Sequence, residues 1–412
     1  MRLQSIMRVP SHVKLFKCQR CTACCTHKWR IEIDNASYDR LCDTFEQLDC
    51  THELFDSVLF HNGGQQIRFL PNGRCPFLTD SDLCRLQLEF GATYLPNVCK
   101  IYPRRIFASQ RGLEFALSLS CMTAVRTLAQ GKIRLEELPP MNKDFTFICP
   151  HPIPQYHPEA MLAGDLRRCY HGLEDSLIEL LQNQRYPLVE RLSTLGKTLI
   201  QLLTITKSGQ RIIATDITDS VSQALRSVDS NSTDLNLPMY LDQLCAIFNL
   251  YLSLTKTGDG PQILRSIVVS ILSESSQSSL DAIAIVRSAI NTPDETQYAK
   301  KIAIYYTPAQ TTISPILENY LVNFVLAKHF FFAKPHIAYY KMTFAYAAII
   351  FFALGYCSLT AQPIDQDILV QSICDVENIF FCNDTVMQKL ETRLGQYDNL
   401  HIIKDAINLG SV

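Results

Sequence analysis

The 412-residue chain lacks the short motifs that mark many cofactor-dependent enzymes. It has no GxGxxG after a strand pattern and no GxxxxGK[ST], so neither a dinucleotide-binding fold nor a P-loop is indicated. HExxH and GxSxG are missing too, which removes the common zinc-protease and serine-hydrolase signatures. The glycine-rich loop of Rossmann-type methyltransferases is also absent. Any cofactor chemistry must therefore depend on other residues.

Strong net charge is missing as well. The formal charge is −2 at pH 7, so the composition gives no sign of a nucleic-acid-binding surface, and we expect no nucleic acid as a partner. The first residues, MRLQSIMRVPSHVKLFKC, contain no apolar run of signal-peptide length. We therefore expect a cytoplasmic protein whose thiols serve metal binding or catalysis rather than disulfides.

Long hydrophobic runs are scarce, with one exception near the C-terminus. The strongly apolar part, from Met342 to Cys357, is shorter than the roughly 20 residues that span a bilayer. We expect a buried core helix there. Peripheral contact with the inner membrane, or an interaction protein anchored near it, remains an alternative.

Cysteine, by contrast, is abundant, with 16 residues in the chain. FKCQRCTACC places Cys18, Cys21 and Cys24 at C-x2-C-x2-C spacing, with Cys25 adjoining. A two-residue gap lets two thiolates from one turn reach the same metal or cluster, and backbone N–H groups of the turn can stabilise their charge. We expect Cys24 and Cys25 to point in different directions, so that one of them serves a second metal or a supporting role.

Further cysteines occur in small, turn-rich contexts: Cys75, Cys84, Cys99 and Cys121. The eight candidates could hold two four-ligand sites, or one site with four bystanders; a scattered cysteine can also be simply a small buried residue. Spacing alone does not distinguish a zinc site from an iron–sulfur cluster. A crowded run of cysteines, Cys18 to Cys25, together with cysteines far away in sequence, favours a [4Fe–4S] cluster.

Two arginines follow Cys99 closely in KIYPRR. Arg104 and Arg105 could bind a carboxylate in a bidentate manner, including the carboxylate of a cofactor. A solvated basic turn is the equally weighted alternative. Tyr102 could pack beside a cluster, and His27 could ligate or shuttle a proton.

The pattern of apolar residues predicts a mainly α protein: a small cysteine-rich α+β metal-binding module followed by a larger all-helical domain. We place the module at 1–138, a Pro-rich linker at 139–159 and the helical domain at 160–412. In the module we expect strands at 29–34, 66–70 and 113–121, a helix capped at Asp34 or Asn35 and ending near Leu48, a turn at 71–73 and a helix at 83–90. The helical domain should contain helices at 160–184, 189–206, 262–273 and 280–290 and an apolar helical region at 328–356.

Several of these motifs, taken in order, resemble one family. FKCxxCxxCC, WRIEID, GRCPFL, LCRLQxxxGxxYLP, CKxYPRR and LSLSC are similar to the flagellin lysine-N-methylase (FliB) family over residues 16–125. The resemblance implies an S-adenosylmethionine-dependent enzyme that methylates lysine ε-amines of flagellin in the bacterial cytoplasm, with flagellin as its partner. It also implies a [4Fe–4S] cluster held by the cysteine motif, a role we carry onto the eight cysteines named above.

A function of another class fits the same cysteines. The CxxCxxCC start and the CPFL element also occur in small zinc- or iron-chelating proteins, so a metal-binding protein without methyltransferase activity is the alternative. Self-association into a homo-oligomer is compatible with either function.

Overall fold

The computed structural model describes residues 6–26, 31–61, 64–109, 111–139, 166–207, 219, 237–255, 259–272, 282–328 and 334–409. The chain divides into two compact units, the first comprising Met1–Thr127 with Arg134–Gln155 and the second Leu128–Ile133 with Tyr156–Val412. The short segment Leu128–Ile133, which we placed in the module, thus belongs to the second unit. The linker expected at 139–159 lies, apart from its first residue, outside the described residues.

The first unit contains two small sheets. In one sheet a central strand pairs in parallel with one neighbour and antiparallel with the other, and the order is β5-β6-β1-β7. The second sheet is antiparallel with the order β2-β4-β3. The strands are β1 (Met7–Pro10), β2 (Glu32–Ile33), β3 (Val58–His61), β4 (Gly64–Ile67), β5 (Arg104–Ser109), β6 (Gly112–Leu117) and β7 (Leu135–Leu138).

Short helices connect these strands. The helix predicted after Asp34 is confirmed: the Asp34 carboxylate accepts a hydrogen bond from the backbone N–H of Ser37 at 3.0 Å and caps the first turn. The predicted helix at 83–90 is a five-residue π-helix, Leu86–Phe90, which ends at Gly91 with φ +89°. The α-helices are α1 (Ser11–Leu15), α2 (Ala23–Thr26), α3 (Asn35–Gln47), α4 (Thr51–Ser57), α5 (Asn97–Ile101) and α6 (Met122–Thr127).

All three predicted strands differ in extent: of the strand expected at 29–34, the described part is the two-residue β2, Glu32–Ile33. The strand expected at 113–121 ends at Leu117, because the chain turns at Ser118, whose N–H donates to the Pro103 carbonyl at 2.7 Å, and then enters α6. The strand expected at 66–70 is instead Gly64–Ile67. Alternation of small polar and apolar residues continues through both turns, so periodicity alone did not show where pairing stops.

Among the residues that the structure describes, the regular secondary structure of the second unit is all helical, as predicted. The helices predicted at 189–206, 262–273 and 280–290 are found close to those positions, whereas the expected start of the helix at 160–184 lies outside the described residues. A π-helical turn at Ile302–Tyr306 precedes α13. The helices are α7 (Leu166–Leu181), α8 (Leu188–Lys207), α9 (Leu237–Leu254), α10 (Asp259–Leu272), α11 (Ala282–Asn291), α12 (Glu295–Lys301), α13 (Thr307–Ala327), α14 (Pro335–Thr360), α15 (Gln366–Val376), α16 (Asp384–Leu394) and α17 (Asn399–Leu409).

The apolar segment near the C-terminus is the core helix of this unit. Within the described chain, α14 is the one helix long and apolar enough to cross a membrane, yet 83% of its most apolar window is buried inside the protein. It packs against α10, α15 and α17. The predicted buried core helix is therefore confirmed. The apolar helical region predicted to begin at 328 is wrong for Lys328 and Lys334, because α13 ends at Ala327 and α14 begins with Pro335, which suits a first helical turn. Residues 329–333 lie outside the described residues.

Candidate functional site: a cavity lined by eight thiols

A cavity of about 550 Å³ lies within the first unit. Every cysteine that the sequence singled out as a metal ligand contributes to its wall, and so does Arg104. Arg105 is exposed and is not among the lining residues, because neighbouring residues of a strand point to opposite faces. The lining cysteines are Cys18, Cys21, Cys24, Cys25, Cys75, Cys84, Cys99 and Cys121.

The crowded run is shaped by a tight loop that leads into the one-turn helix α2. Arg20 and Thr22 both adopt left-handed backbone conformations, with φ of 54° and 59°. The N–H of Arg20 donates to the Cys18 sulfur at 3.4 Å, and the carbonyl of Thr22 accepts the N–H of Cys25 at 2.7 Å. These bonds curl the chain so that the thiols of the run face one cavity.

The prediction that Cys24 and Cys25 point in different directions is wrong. Their Sγ atoms lie 3.7 Å apart, and both residues line the cavity. In a helical turn successive side chains are separated by about 100° rather than the 180° of a strand, so adjacent thiols can share one side. The Cys25 hydrogen bond, followed by burial, raises the pKa of the Cys24 thiol.

The four distant cysteines reach the cavity from separate elements. The Cys75 N–H donates to the Cys25 carbonyl at 2.7 Å, which ties the turn at 71–73 to the crowded run. Cys84 forms an isolated β-bridge with Leu78, Cys99 lies on α5, and Cys121 sits between β6 and α6. Elements far apart in sequence therefore converge on one thiol-lined space.

Backbone N–H groups approach several of these sulfurs. Burial raises the pKa of Cys75 and of Cys121 to about 11, while an N–H of Phe77 at the first and N–H groups of Ala124 and Thr123 at the second oppose the shift. Burial also raises the pKa of Cys84, against N–H groups of Gln87 and Leu86. Donors aimed at sulfur stabilise thiolate, whereas burial disfavours it unless a cation is present.

Arg104 forms the polar part of the wall. Its Nη2 donates to the carbonyl of Phe16 at 3.3 Å, and its guanidinium carbon lies 4.8 Å from the centre of the Phe16 ring. Burial lowers the pKa of Arg104, and the neighbouring Cys18 opposes that shift. The Nε–H of Arg104 is buried and has no hydrogen-bond partner. A buried, unsatisfied donor on a cationic group is suited to an anionic ligand.

Other lining residues were missed or weighed only lightly from the sequence. Lys100 lines the cavity, and burial, followed by the charge of Arg40, lowers the pKa of its amine. The Tyr102 hydroxyl lies 3.1 Å from the Ser120 hydroxyl. Lys100 follows Cys99 directly, and that adjacency was the available signal. His27 and Trp29 lie outside the described residues.

The described residues include no group of three or more His, Cys, Asp or Glu side chains placed to hold a single metal ion. A second cavity, of about 220 Å³, lies in the helical unit among α13, α14 and α16. Both of its lysines are ion-paired, Lys328 with Glu377 at 2.6 Å and Lys341 with Glu391. No disulfide joins the cysteines whose side chains the structure describes.

Fold and site together define a class: a thiol-rich α+β module followed by an all-helical domain. A family model described as the FliB lysine N-methylase C-terminal domain matches residues 174–409, more than half of the chain. The chain therefore belongs to the FliB lysine N-methylase family. The match covers the helical region, whereas the motifs that suggested the family lie within residues 16–125.

Three curated bacterial proteins show a shorter similarity. The chain is 27% identical over 119 residues, 27% of its length, to the "Flagellar biosynthetic protein FliU" of Salmonella muenchen, of which it covers 70%. The same identity and length hold for proteins named "Lysine-N-methylase" from Salmonella typhimurium (strain LT2) and Salmonella choleraesuis. The chain covers 29% of each of these two relatives. No solved structure shows a significant match to the chain.

Proposed function

We propose that this protein is an S-adenosylmethionine-dependent lysine N-methyltransferase that acts on lysine ε-amines of flagellin in the cytoplasm, with a [4Fe–4S] cluster in the cysteine cavity. Family membership supports lysine methylation, and the names of the relatives refer to the flagellum and to that activity. The observation that carries the proposal is the convergence of eight thiols and Arg104 on one cavity.

The residues of the cavity fit an iron–sulfur cluster. Thiolates are its usual ligands, and hydrogen bonds from backbone N–H groups to the sulfurs stabilise it. Both are present here, since N–H groups of Phe77, Leu86 and Thr123 approach three different cysteines. When bound, a cluster would supply redox-active and Lewis-acidic iron next to the cofactor site.

Arg104 is suited to hold the carboxylate of S-adenosylmethionine. Its free Nε–H would gain a charge-assisted hydrogen bond, while its Nη2 keeps the contact with the Phe16 carbonyl. The stacking of the guanidinium on the Phe16 ring fixes its orientation. A bound methionine moiety would therefore be positioned by a preorganised group.

The cavity also provides the environment that a lysine nucleophile requires. The amine must be neutral so that its lone pair forms the new N–C bond while the C–S bond of the sulfonium breaks. Burial in this cavity lowers the pKa of Lys100, and the same loss of hydration would act on an incoming substrate lysine. A partly dry slot can thus supply neutral amine without a dedicated base.

Anaerobic purification tests the proposal. Iron, sulfide and zinc would be measured per chain, and transfer of labelled methyl groups from S-adenosylmethionine to purified flagellin would be assayed. We expect iron and sulfide in equal amounts, and methyl transfer that is lost together with them in Cys18→Ala/Cys21→Ala. Cys42→Ala is the matched control, because Cys42 packs against the adjacent core but does not line the cavity.

Other results would contradict the proposal. Stoichiometric zinc without sulfide, and no methyl transfer, would make the protein a metal-chelating module and remove the cluster from the mechanism. Methyl transfer that persists at the wild-type rate in the double variant would locate the chemistry elsewhere.

A further inference from the structure

The π-helix Leu86–Phe90 is fixed to the apolar core of the first unit at both of its ends. Leu86 belongs to that core and is 1% exposed. Phe90 packs edge-on against Phe45 of α3, with the ring centres 6.1 Å apart. Because both ends are anchored, the fold determines where the side chains between them point.

Leu88 lies between the two anchors and faces the other way. Residues two apart in a helix do not share a face, so the burial of Leu86 turns Leu88 outward. The Leu88 side chain is 52% exposed, yet it lines the cavity, and its N–H donates to the carbonyl of the cavity residue Cys84 at 3.0 Å. Among the large apolar side chains that the structure describes as exposed in the first unit, Leu88 is the one that lines the cavity. A side chain that is half exposed and also part of the wall lies at the cavity mouth.

Three uncharged residues extend this part of the mouth. Gly91, with φ +89°, turns the chain from the π-helix into a short 3₁₀ turn, Ala92–Tyr94, which packs against it. One wall residue precedes Leu88 and the turn adds two more, and all three are exposed and carry no formal charge. We call this group the lip: Gln87, Leu88, Ala92 and Thr93.

The position of the lip determines what it meets when a protein substrate reacts. A lysine side chain is a flexible four-carbon stem that ends in the amine, so the amine can enter the cavity while the backbone of its own protein stays outside. The residues next to that lysine then lie over the mouth. A single exposed leucine elsewhere on a protein surface needs no explanation. A leucine at the entrance of a cavity that takes up a protein side chain is covered by the protein that enters.

We propose that the lip receives the segment of the protein substrate around the target lysine, and that an apolar residue next to this lysine covers Leu88. The inference rests on the proposed function, because it requires that the lysine amine reacts in the cysteine cavity. The composition of the lip favours this occupant, since half of a leucine side chain is available for burial and no charge is present to attract an acidic or basic neighbour. Covering that half corresponds to a roughly 3- to 12-fold gain in affinity.

A matched pair of leucines tests the proposal. Leu88 and Leu48 have the same exposed fraction, 52%, but Leu48 is the C-cap of α3 and does not line the cavity. Leu88→Ala and Leu88→Asp would be compared with Leu48→Ala and Leu48→Asp, in the full chain purified anaerobically. The measurements are KM and kcat for methylation of flagellin, the Kd of labelled flagellin, the iron content and the oligomeric state by sedimentation. Two short lysine peptides complete the set, one with leucine and one with serine on both sides of the lysine.

We expect Leu88→Ala to raise KM and Kd for flagellin roughly 3- to 12-fold. Leu88→Asp should raise them further, because a carboxylate would be covered without a partner. The iron content and kcat should keep their wild-type values, since the lip contacts the segment beside the lysine rather than the amine itself. Both Leu48 variants should match the wild type throughout. The wild type should bind the leucine peptide more tightly than the serine peptide, and Leu88→Ala should bind the two equally.

Four results would overturn the proposal. The first is an unchanged KM, Kd and peptide preference in both Leu88 variants. The second is an equal loss of flagellin binding in the Leu48 variants, because the effect would then reflect apolar surface in general. The third is a loss of iron with a lower kcat at constant KM, which would make Leu88 a support of the cavity. The fourth is a wild-type dimer that Leu88→Asp dissociates without any effect on flagellin binding, which would assign the lip to a second copy of the chain.

The failure of this inference can be told from the failure of the proposed function. If the wild type methylates flagellin and the Leu88 variants do so with the wild-type KM, the role of the lip is wrong and the methylase stands. If no methyl group reaches flagellin, the assigned activity is wrong, and the Kd values for flagellin and the two peptides still decide whether Leu88 belongs to a docking surface.

Discussion

Replacing Arg104 by Ala should weaken binding of S-adenosylmethionine, because the substitution removes a guanidinium that lines the cavity with an unpaired N–H. A hydrogen bond to a charged group contributes about 1.5–3 kcal/mol. Each 1.4 kcal/mol corresponds to a factor of ten in Kd. The expected increase in Kd is therefore roughly 10- to 150-fold.

Equilibrium dialysis with labelled cofactor, under anaerobic conditions, measures this change directly. Arg105→Ala is the matched control: it removes the same charge from the next residue of β5, but from a side chain that does not line the cavity. Arg104→Lys should give an intermediate Kd, since it keeps the charge and loses the planar donor set.

The Arg104→Ala experiment needs one further control, because of the contacts that Arg104 makes with Phe16. Arg104 stacks on Phe16 and bonds to its carbonyl, two residues before Cys18, so the alanine variant could also disturb the crowded run. Iron content must therefore be measured in every sample. An Arg104→Ala protein that keeps its iron and binds the cofactor as tightly as the wild type would refute the assignment of this residue.

Three further predictions concern the framework. Asn319→Ala should destabilise the helical unit by about 3–5 kcal/mol in urea unfolding, because its buried amide bonds the Leu128 and Gly131 carbonyls and accepts the Ile133 N–H at 2.8, 2.9 and 3.1 Å. Gly355→Ala should destabilise the helical unit by about 1–3 kcal/mol, since the new Cβ would lie 2.7 Å from Ile267. Gly172→Ala, whose Cβ would meet nothing within 4 Å, should stabilise the same unit by up to about 1 kcal/mol. Equal effects of the two substitutions on the free energy of unfolding would contradict the packing. Asp34→Ala should cost about 1–2 kcal/mol at pH 7. Burial raises the pKa of Asp34, but hydrogen bonds from Ser37 and Asn97 lower it overall. The difference in unfolding free energy between variant and wild type should therefore shrink as pH falls below about 4 and the wild-type carboxylate is protonated. A difference independent of pH would exclude this capping role.

The elements that the sequence predicted well are those governed by local chemistry. Asp34 is a good N-cap, and the turn at 71–73 closes through the Gly73 N–H and the Leu70 carbonyl at 2.8 Å. The core helix α14 follows from its apolar composition. Its start could not be inferred in the same way, because Lys328 to Pro335 continues the apolar pattern and only the proline signals a new helix.

The geometry of the candidate site, by contrast, depends on contacts between distant parts of the chain and was predicted less well. Sequence spacing selected the eight cysteines, but it left open whether distant ones join the crowded run, since convergence depends on how two sheets and the helices α1 to α6 fold together. The direction of Cys25 was predicted wrongly because it depends on a single helical turn, Ala23–Thr26. Arg104 and Arg105 are equivalent as neighbours in sequence; only the alternation of β5 distinguishes the lining residue from the exposed one.

The two units also differ in what their packing requires. The helical unit is filled around α14, whose residues are nearly all buried against other helices. The first unit instead surrounds its cavity with thiols, and an unfilled space forfeits the contacts that its lining atoms would make with a neighbour. Burial also raises the pKa of several of these thiols, so the thiolate form needs a compensating cation. A bound metal centre would meet both needs, and its binding energy would then be part of the folding energy of the first unit alone.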